Sequence, residues 1–214
     1  MSGILKVFPG KTVIKIKTKV GWYRVYALLY LGLFYLGGNM LKQYFDEDKY
    51  YEIQQNDNQI YKALEIVTNL FENDLDKGGM PYILHLLYVY KHVSTEDEKV
   101  IGLLHDTLED KEVTASDLLE VGFNEKIVQD VVMLTRVKPI EYTDYIENML
   151  KNGSVEALHV KLADLEHNMD ITRIKTPSIK EIERVKRRYI PTHEKIMNRL
   201  EEIENDRHKT NKGK

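Results

Sequence analysis

The chain has 214 residues, 43% of them hydrophobic and 30% charged, with a formal net charge of −3. That length can bury one sizeable core, and 12 glycines with 5 prolines are too few for a collagen-like or low-complexity chain. The absence of cysteine excludes disulfides, thiolate metal sites and a cysteine nucleophile, which suits a reducing cytoplasm, and the mild acidity argues against a nucleic-acid binder.

The first segment, 1–39, is a basic and apolar leader. It holds Lys6, Lys11, Lys15, Lys17, Lys19 and Arg24 and no acid, so the remainder of the chain carries −9. The uncharged run from Val25 to Met40 follows positive charge, the order expected of a signal or a weak membrane anchor. It is short of the roughly 20 apolar residues a span needs. The alternative is that Met40 is the true start and 1–39 is translated upstream sequence. The alternating "TVIKIKTKV" is the one strand-like stretch of the chain.

Residues 40–58 read as a polar linker. From there the pattern is helical. Ile60, Ala63, Leu64, Val67, Leu70 and Phe71 share one face, and "NDLDKGG" breaks the run. Pro81 suits the first turn of the next helix, which runs to about His92. Ser94 or Thr95 caps a helix through Asp97 or Glu98, and that helix ends in "LLHDTLED", 103–110. Thr114 with Asp117 and Ser178 with Glu181 mark further starts. Helices are expected over 124–135, 143–151, 154–170 and 178–204, followed by a polar tail, 205–214. The fold class is all-α, a compact multi-helix bundle over 59–204.

On a continuous helix His105 lies above Glu109 and Asp106 above Asp110, all within one sector bordering Leu103, Leu104 and Leu108. Unpaired charge beside a core is costly. Metal coordination offsets that cost, and imidazole with carboxylate but no sulfur suits Mn, Fe, Mg or Zn. The alternative is a solvated helix end. Elsewhere, His85 is a lone polar group among Ile83, Leu84, Leu86 and Leu87, in the pattern of either a ligand or a hydrogen-bonded core histidine. Asp164 follows Leu162 and Ala163, with Lys161 and Asn168 on its own face.

Taken together, "DKGGMPYILH", "LLHDTLED" and "VKLADLEHNMD" resemble the HD superfamily of metal-dependent phosphohydrolases. More narrowly, they resemble the hydrolase domain of RelA/SpoT-type enzymes and their small stand-alone relatives, which remove the 3′-pyrophosphate of guanosine tetra- and pentaphosphate. The resemblance spans roughly 60–200, and no synthetase segment follows it. It implies an HD-domain fold with ligands spread over four helices: His85, His105, Asp106 and Asp164 holding one divalent ion, manganese first. It also implies that Glu109 and Asp110 position the attacking water and handle the proton at the leaving oxygen. Lys77, Asn168 and Lys161 become candidates for contact with the nucleotide substrate.

Three positions depart from the family pattern. Asp76 stands where a basic residue is usual, Leu86 where proline is usual and Tyr88 where a basic residue is frequent. These spare the ligands and bear on specificity, leaving another nucleotide substrate, or a catalytically silent nucleotide sensor, as alternative functions. Tyr82 reads as packing, and His92, His159, His193 and His208 as ordinary histidines. His167 is either exposed or a support for the site. Arg184, Lys186 and Arg188 read as a solvated face within reach of a phosphate.

Overall fold

The computed structural model describes residues 39–210 and the backbone of segments 5–8, 11–14 and 211–212. Strands β1 (Leu5–Phe8) and β2 (Lys11–Ile14) pair antiparallel, Leu5 opposite Ile14 and Phe8 opposite Lys11. The start of the alternating stretch thus falls on β2. The expected anchor over 25–38 lies outside the described residues. Among the described residues no helix is long and apolar enough to cross a membrane.

The remainder is helical, as the periodicity predicts. Residues 40–58, expected to be a polar linker, instead belong to the bundle. A 3-10 turn (Met40–Tyr44) and helix α1 (Glu47–Gln55) bury Leu41, Tyr50 and Ile53. The cause is local chemistry that composition hides. Asn39 Nδ2 donates to the Asp117 carbonyl at 3.1 Å, and the Met40 N–H donates to Asp117 Oδ1 at 2.8 Å, pinning this segment to the start of a helix 77 residues away.

Helix α2 (Gln59–Leu70) buries Ala63, Ile66, Val67 and Leu70. After the 74–81 loop comes α3 (Ile83–Lys91), beginning two residues past Pro81 because that proline still pairs with Leu75 in a β-bridge. Helix α4 (Glu96–Leu104) opens on the Thr95/Glu98 capping box, and Glu98 also accepts from Ser94 N and from His159. A single turn, α5 (Thr107–Asp110), follows. Next are α6 (Ala115–Val121), with its Thr114/Asp117 box, α7 (Glu125–Leu134), α8 (Tyr142–Asn152) and α9 (Val155–Met169).

The last expected helix is divided. After α10 (Ile179–Arg184), with its Ser178/Glu181 box, Val185–Tyr189 form a π-helical turn before α11 (Ile190–Lys212). Pro191 explains the break: it has no N–H, and its ring crowds the carbonyl four residues back, so the wider turn relieves that clash without ending the rod. The polar tail 205–214 continues as helix as far as Lys212, and is exposed over 205–210.

Helix α4 is the axis of the bundle, packed by α2, α3, α7 and α9. Its Val100, Ile101, Leu103 and Leu104 are at most 1% exposed. The α3–α4 crossing is close because Gly102 has no side chain: a Cβ there would lie 3.0 Å from Val89 Cγ1. His105 and Asp106, just past the end of α4, are thus held near α3 and α9.

Candidate metal centre

The octapeptide is not one helix. Helix α4 stops at Leu104 and α5 begins at Thr107, because side chains capture the carbonyls at the junction. His105 Nδ1 donates to Gly102 O at 2.7 Å, and Thr107 Oγ1 donates to Leu104 O at 2.7 Å. The Asp106–Asp110 turn survives, with Asp110 N donating to Asp106 O at 3.0 Å. The expected stacking of Glu109 on His105 does not. Glu109 is exposed, and its carboxylate accepts from Arg136 N at 3.0 Å.

Three elements bring four side chains together: α3 supplies His85, the α4–α5 junction His105 and Asp106, and α9 Asp164. His85 Nε2 lies 3.3 Å from His105 Nε2, 3.5 Å from Asp106 Oδ2 and 3.4 Å from Asp164 Oδ1. His105 Nε2 lies 3.0 Å from Asp106 Oδ2 and 3.8 Å from Asp164 Oδ1. Donor atoms of His85, His105 and Asp164 all fall within 4.8 Å of one another, and all three residues are buried. The bond from His105 Nδ1 to Gly102 fixes that ring's tautomer and leaves Nε2 facing the cluster, the arrangement metal-binding histidines use.

The supports of the two carboxylates differ. Lys161 Nζ donates to Asp164 Oδ2 at 2.7 Å, and Asn168 Nδ2 donates to Oδ1 at 2.5 Å and to the Asp164 carbonyl at 3.0 Å. Lys161 and Asn168, two of the three candidates for nucleotide contact, are therefore engaged in orienting Asp164. Tyr82, read as packing, does more: its ring stacks on Phe71 at 5.1 Å while its hydroxyl donates to Asp106 Oδ2 at 2.6 Å. His167 lies against His85, Nδ1 to Nδ1, at 2.7 Å. The signal for both was spacing, since Tyr82 precedes His85 by three residues and His167 follows Asp164 by three, neighbours on one helical face.

The electrostatics are those of a cation site. Burial disfavours charge on His105, but Asp106 and then Asp164 outweigh it and raise its pKa to about 10. His85 is likewise raised, against burial, by Asp106 and Asp164. Burial alone would raise Asp164, yet Lys161 and the two histidines hold it well below the carboxylate range. The two imidazoles and two carboxylates could hold one divalent cation of the borderline-to-hard class, which would take the place of the histidine protons. At the rim, partial burial of the Asp110 carboxyl, then the charges of Asp106 and Glu109, push its pKa up to about 6.

Lys77 is exposed on the 74–81 loop. Asp76, which replaces a basic residue of the family pattern, is turned inward: it accepts from Gly78 N at 2.8 Å and Met80 N at 2.9 Å and pairs with Arg173 Nη1 at 2.5 Å. Gly78 permits this, because a Cβ there would lie 2.6 Å from the Arg173 carbonyl. Leu86 is wholly buried, and Tyr88 stacks on His92 and lies tilted against His167. His159 points away from the cluster, to Glu98.

No protein-family model matches the chain. Among curated proteins, it is 30% identical over 123 residues to a guanosine-3′,5′-bis(diphosphate) 3′-pyrophosphohydrolase of Borreliella burgdorferi, a match covering 51% of this chain and 18% of that protein. It is 32% identical over 102 residues to the protein of the same name in Aquifex aeolicus, covering 45% and 14%. A Myxococcus xanthus GTP pyrophosphokinase matches at 30% over 125 residues, covering 51% and 16%. The chain thus aligns with under a fifth of the length of these relatives. A solved structure described as a metazoan ortholog of SpoT that hydrolyses ppGpp shares the fold, with a TM-score of 0.56 and 22% identity over 68% of this chain and 86% of that one. The bundle therefore shares the fold of that solved structure, and its matched segment resembles part of the curated relatives.

Proposed function

We propose that this domain is a metal-dependent phosphohydrolase that removes the 3′-pyrophosphate of guanosine tetra- or pentaphosphate, giving GDP or GTP. The observation that carries the reading is the convergence of His85, His105, Asp106 and Asp164 on one buried point beside a rim carboxyl, Asp110, raised to about 6. The names of the curated relatives support the same substrate. His85, His105, Asp106 and Asp164 are the proposed ligands of one ion, with manganese the first choice for a site of two imidazoles and two carboxylates. When bound, the ion supplies Lewis acidity toward a phosphoryl oxygen and toward water.

The chain's own residues supply the rest. Lys161 and Asn168 hold Asp164, and Tyr82 holds Asp106, so both carboxylates are oriented before substrate arrives. Asp110, raised into the range where it is readily protonated and deprotonated, is the proposed proton carrier at the leaving 3′ oxygen. Glu109, anchored on Arg136 N, is the proposed neighbour that orients water. Lys77 is the proposed exposed contact for a substrate phosphate. The acidic departure at Asp76 does not oppose a polyanion, because its carboxylate is matched by Arg173 and two backbone N–H groups.

The test is pyrophosphate release from guanosine 3′,5′-bis(diphosphate) by the chelator-stripped protein, with and without manganese. Manganese-dependent release with GDP as co-product is expected. Protein that binds one manganese per chain and releases no pyrophosphate would refute the substrate and turn attention to another nucleotide or to a sensor.

A further inference from the structure

The two histidines of the cluster use their far nitrogens differently. His105 Nδ1 faces the Gly102 carbonyl at 2.7 Å, a group that can only accept, so the proton there is settled by the backbone. His85 has no carbonyl in the equivalent place. Its Nδ1 faces Nδ1 of His167 at 2.7 Å, and either ring could donate. His167 is buried, lies against the Tyr88 ring at a centroid distance of 4.4 Å, and has its carbonyl fixed by Arg173 through Nε at 3.2 Å and Nη2 at 3.0 Å. Asp76 holds the same guanidinium from the 74–81 loop.

From this geometry we infer that His167 is a positioning residue: its Nδ1 accepts the Nδ1–H of His85, and this fixes His85 in the tautomer whose Nε2 lone pair faces Asp106, Asp164 and His105. A neutral imidazole has one N–H. With that of His85 on Nδ1, Nε2 is free to coordinate, and His167 carries its own proton on Nε2. The opposite assignment, His167 donating, would place the His85 proton on Nε2, pointed into the cluster and opposed to a cation. Arg173 and Asp76 set where His167 stands, so the side chain that departs from the family pattern at 76 supports the metal site through two intermediates. The inference rests on the reading of His85 Nε2 as a metal ligand.

The test compares the full-length parent with His167→Asn, which retains an acceptor oxygen near the Nδ1 position, and His167→Leu, which fills the space without one. Manganese affinity is measured by calorimetry, folding by circular dichroism, and the His85 Nδ1–H by nitrogen-resolved NMR of the zinc-loaded, diamagnetic protein. The expected result is a protected His85 Nδ1–H and near-parent affinity in the Asn variant, and loss of that protection with about 10- to 100-fold weaker binding in the Leu variant. Equal affinities in Leu and parent, or an Asn variant no better than Leu, would overturn the inference. A His85 ring protonated on Nε2 in the loaded parent would overturn it alone, whereas a parent that takes up no metal would overturn the metal reading beneath it. If the Leu variant does not fold, the parent and Asn spectra decide the matter by the same criterion.

Discussion

Gly102→Ala is the perturbation that most directly links packing to the site. A Cβ at 102 would sit 3.0 Å from Val89 Cγ1 and 3.5 Å from Tyr90 N. Ordinary carbon contacts are about 3.5–4.0 Å, so the first contact is short by roughly half an ångström or more. Val89 cannot turn aside cheaply, since it is wholly buried and a valine in a helix keeps one χ1 rotamer about nine times in ten. Overpacking of this kind costs about 1–3 kcal/mol, while replacing a helical glycine returns about 1 kcal/mol of propensity. The net expectation is a loss of about 1 kcal/mol, together with a displacement of α3 from α4. Val89 lies one turn after His85 and Gly102 one turn before His105, so the displacement acts on the 3.3 Å separation of their Nε2 atoms. Urea unfolding of the parent, Gly102→Ala, Val89→Ala and the double variant gives the coupling energy, with manganese affinity measured on each. The double variant should be more stable than the sum of the single losses by about 1 kcal/mol or more, because removing Cγ1 relieves the clash. Additive losses, or a Gly102→Ala protein with parent stability and parent metal affinity, would show that the close crossing does not set the site.

Three further outcomes are expected. Asp106→Ala should abolish manganese binding measured by calorimetry while leaving the far-ultraviolet spectrum unchanged; parent metal content would remove Asp106 from the ligand set. In chelator-treated protein the Asp110 carboxyl, followed by carbon-detected NMR, should titrate near 6, and Glu109→Gln should move that midpoint downward, because a negative neighbour favours the protonated acid. A midpoint unmoved by Glu109→Gln would contradict the proposed coupling. Lys62 is buried with its ammonium donating to Val121 O at 2.8 Å and Gln54 O at 3.1 Å, so Lys62→Met should lower stability in urea by about 1.5–3 kcal/mol. An unchanged midpoint and slope would mean water replaces those bonds at no cost.

Much of the helical scaffold was legible because its causes are local. Capping pairs at Thr95/Glu98, Thr114/Asp117 and Ser178/Glu181 close reciprocal bonds within four residues, and all three open helices where the spacing predicts. The candidate ligands were legible for a related reason: histidine or aspartate amid leucines on an apolar face needs a partner, and His85, His105 and Asp164 stand in that position. What the residues from 103 to 110 could not reveal was the break between α4 and α5, because it depends on two side chains taking carbonyls that a helix would otherwise use. Periodicity counts apolar positions and does not register that competition.

The rest was decided across the chain. Residues 40–55 look like a linker by composition, yet Asn39 and Met40 bond to Asp117, and that contact has no local signature. Asp76 looks like a charge opposed to substrate until Arg173, 97 residues later, is seen to pair with it. Lys161 and Asn168 were candidates for nucleotide contact, yet they lie three residues before and four after Asp164 on α9 and bond to it, a local pairing that their shared face in the sequence already allowed. Residue type and spacing thus determined which groups need partners, since desolvation is a property of the group and its immediate neighbours. For Asn39, Asp76 and His85 the partner was decided only by tertiary structure, because hydrogen bonds and ion pairs act over a few ångströms of space and take no account of separation along the chain.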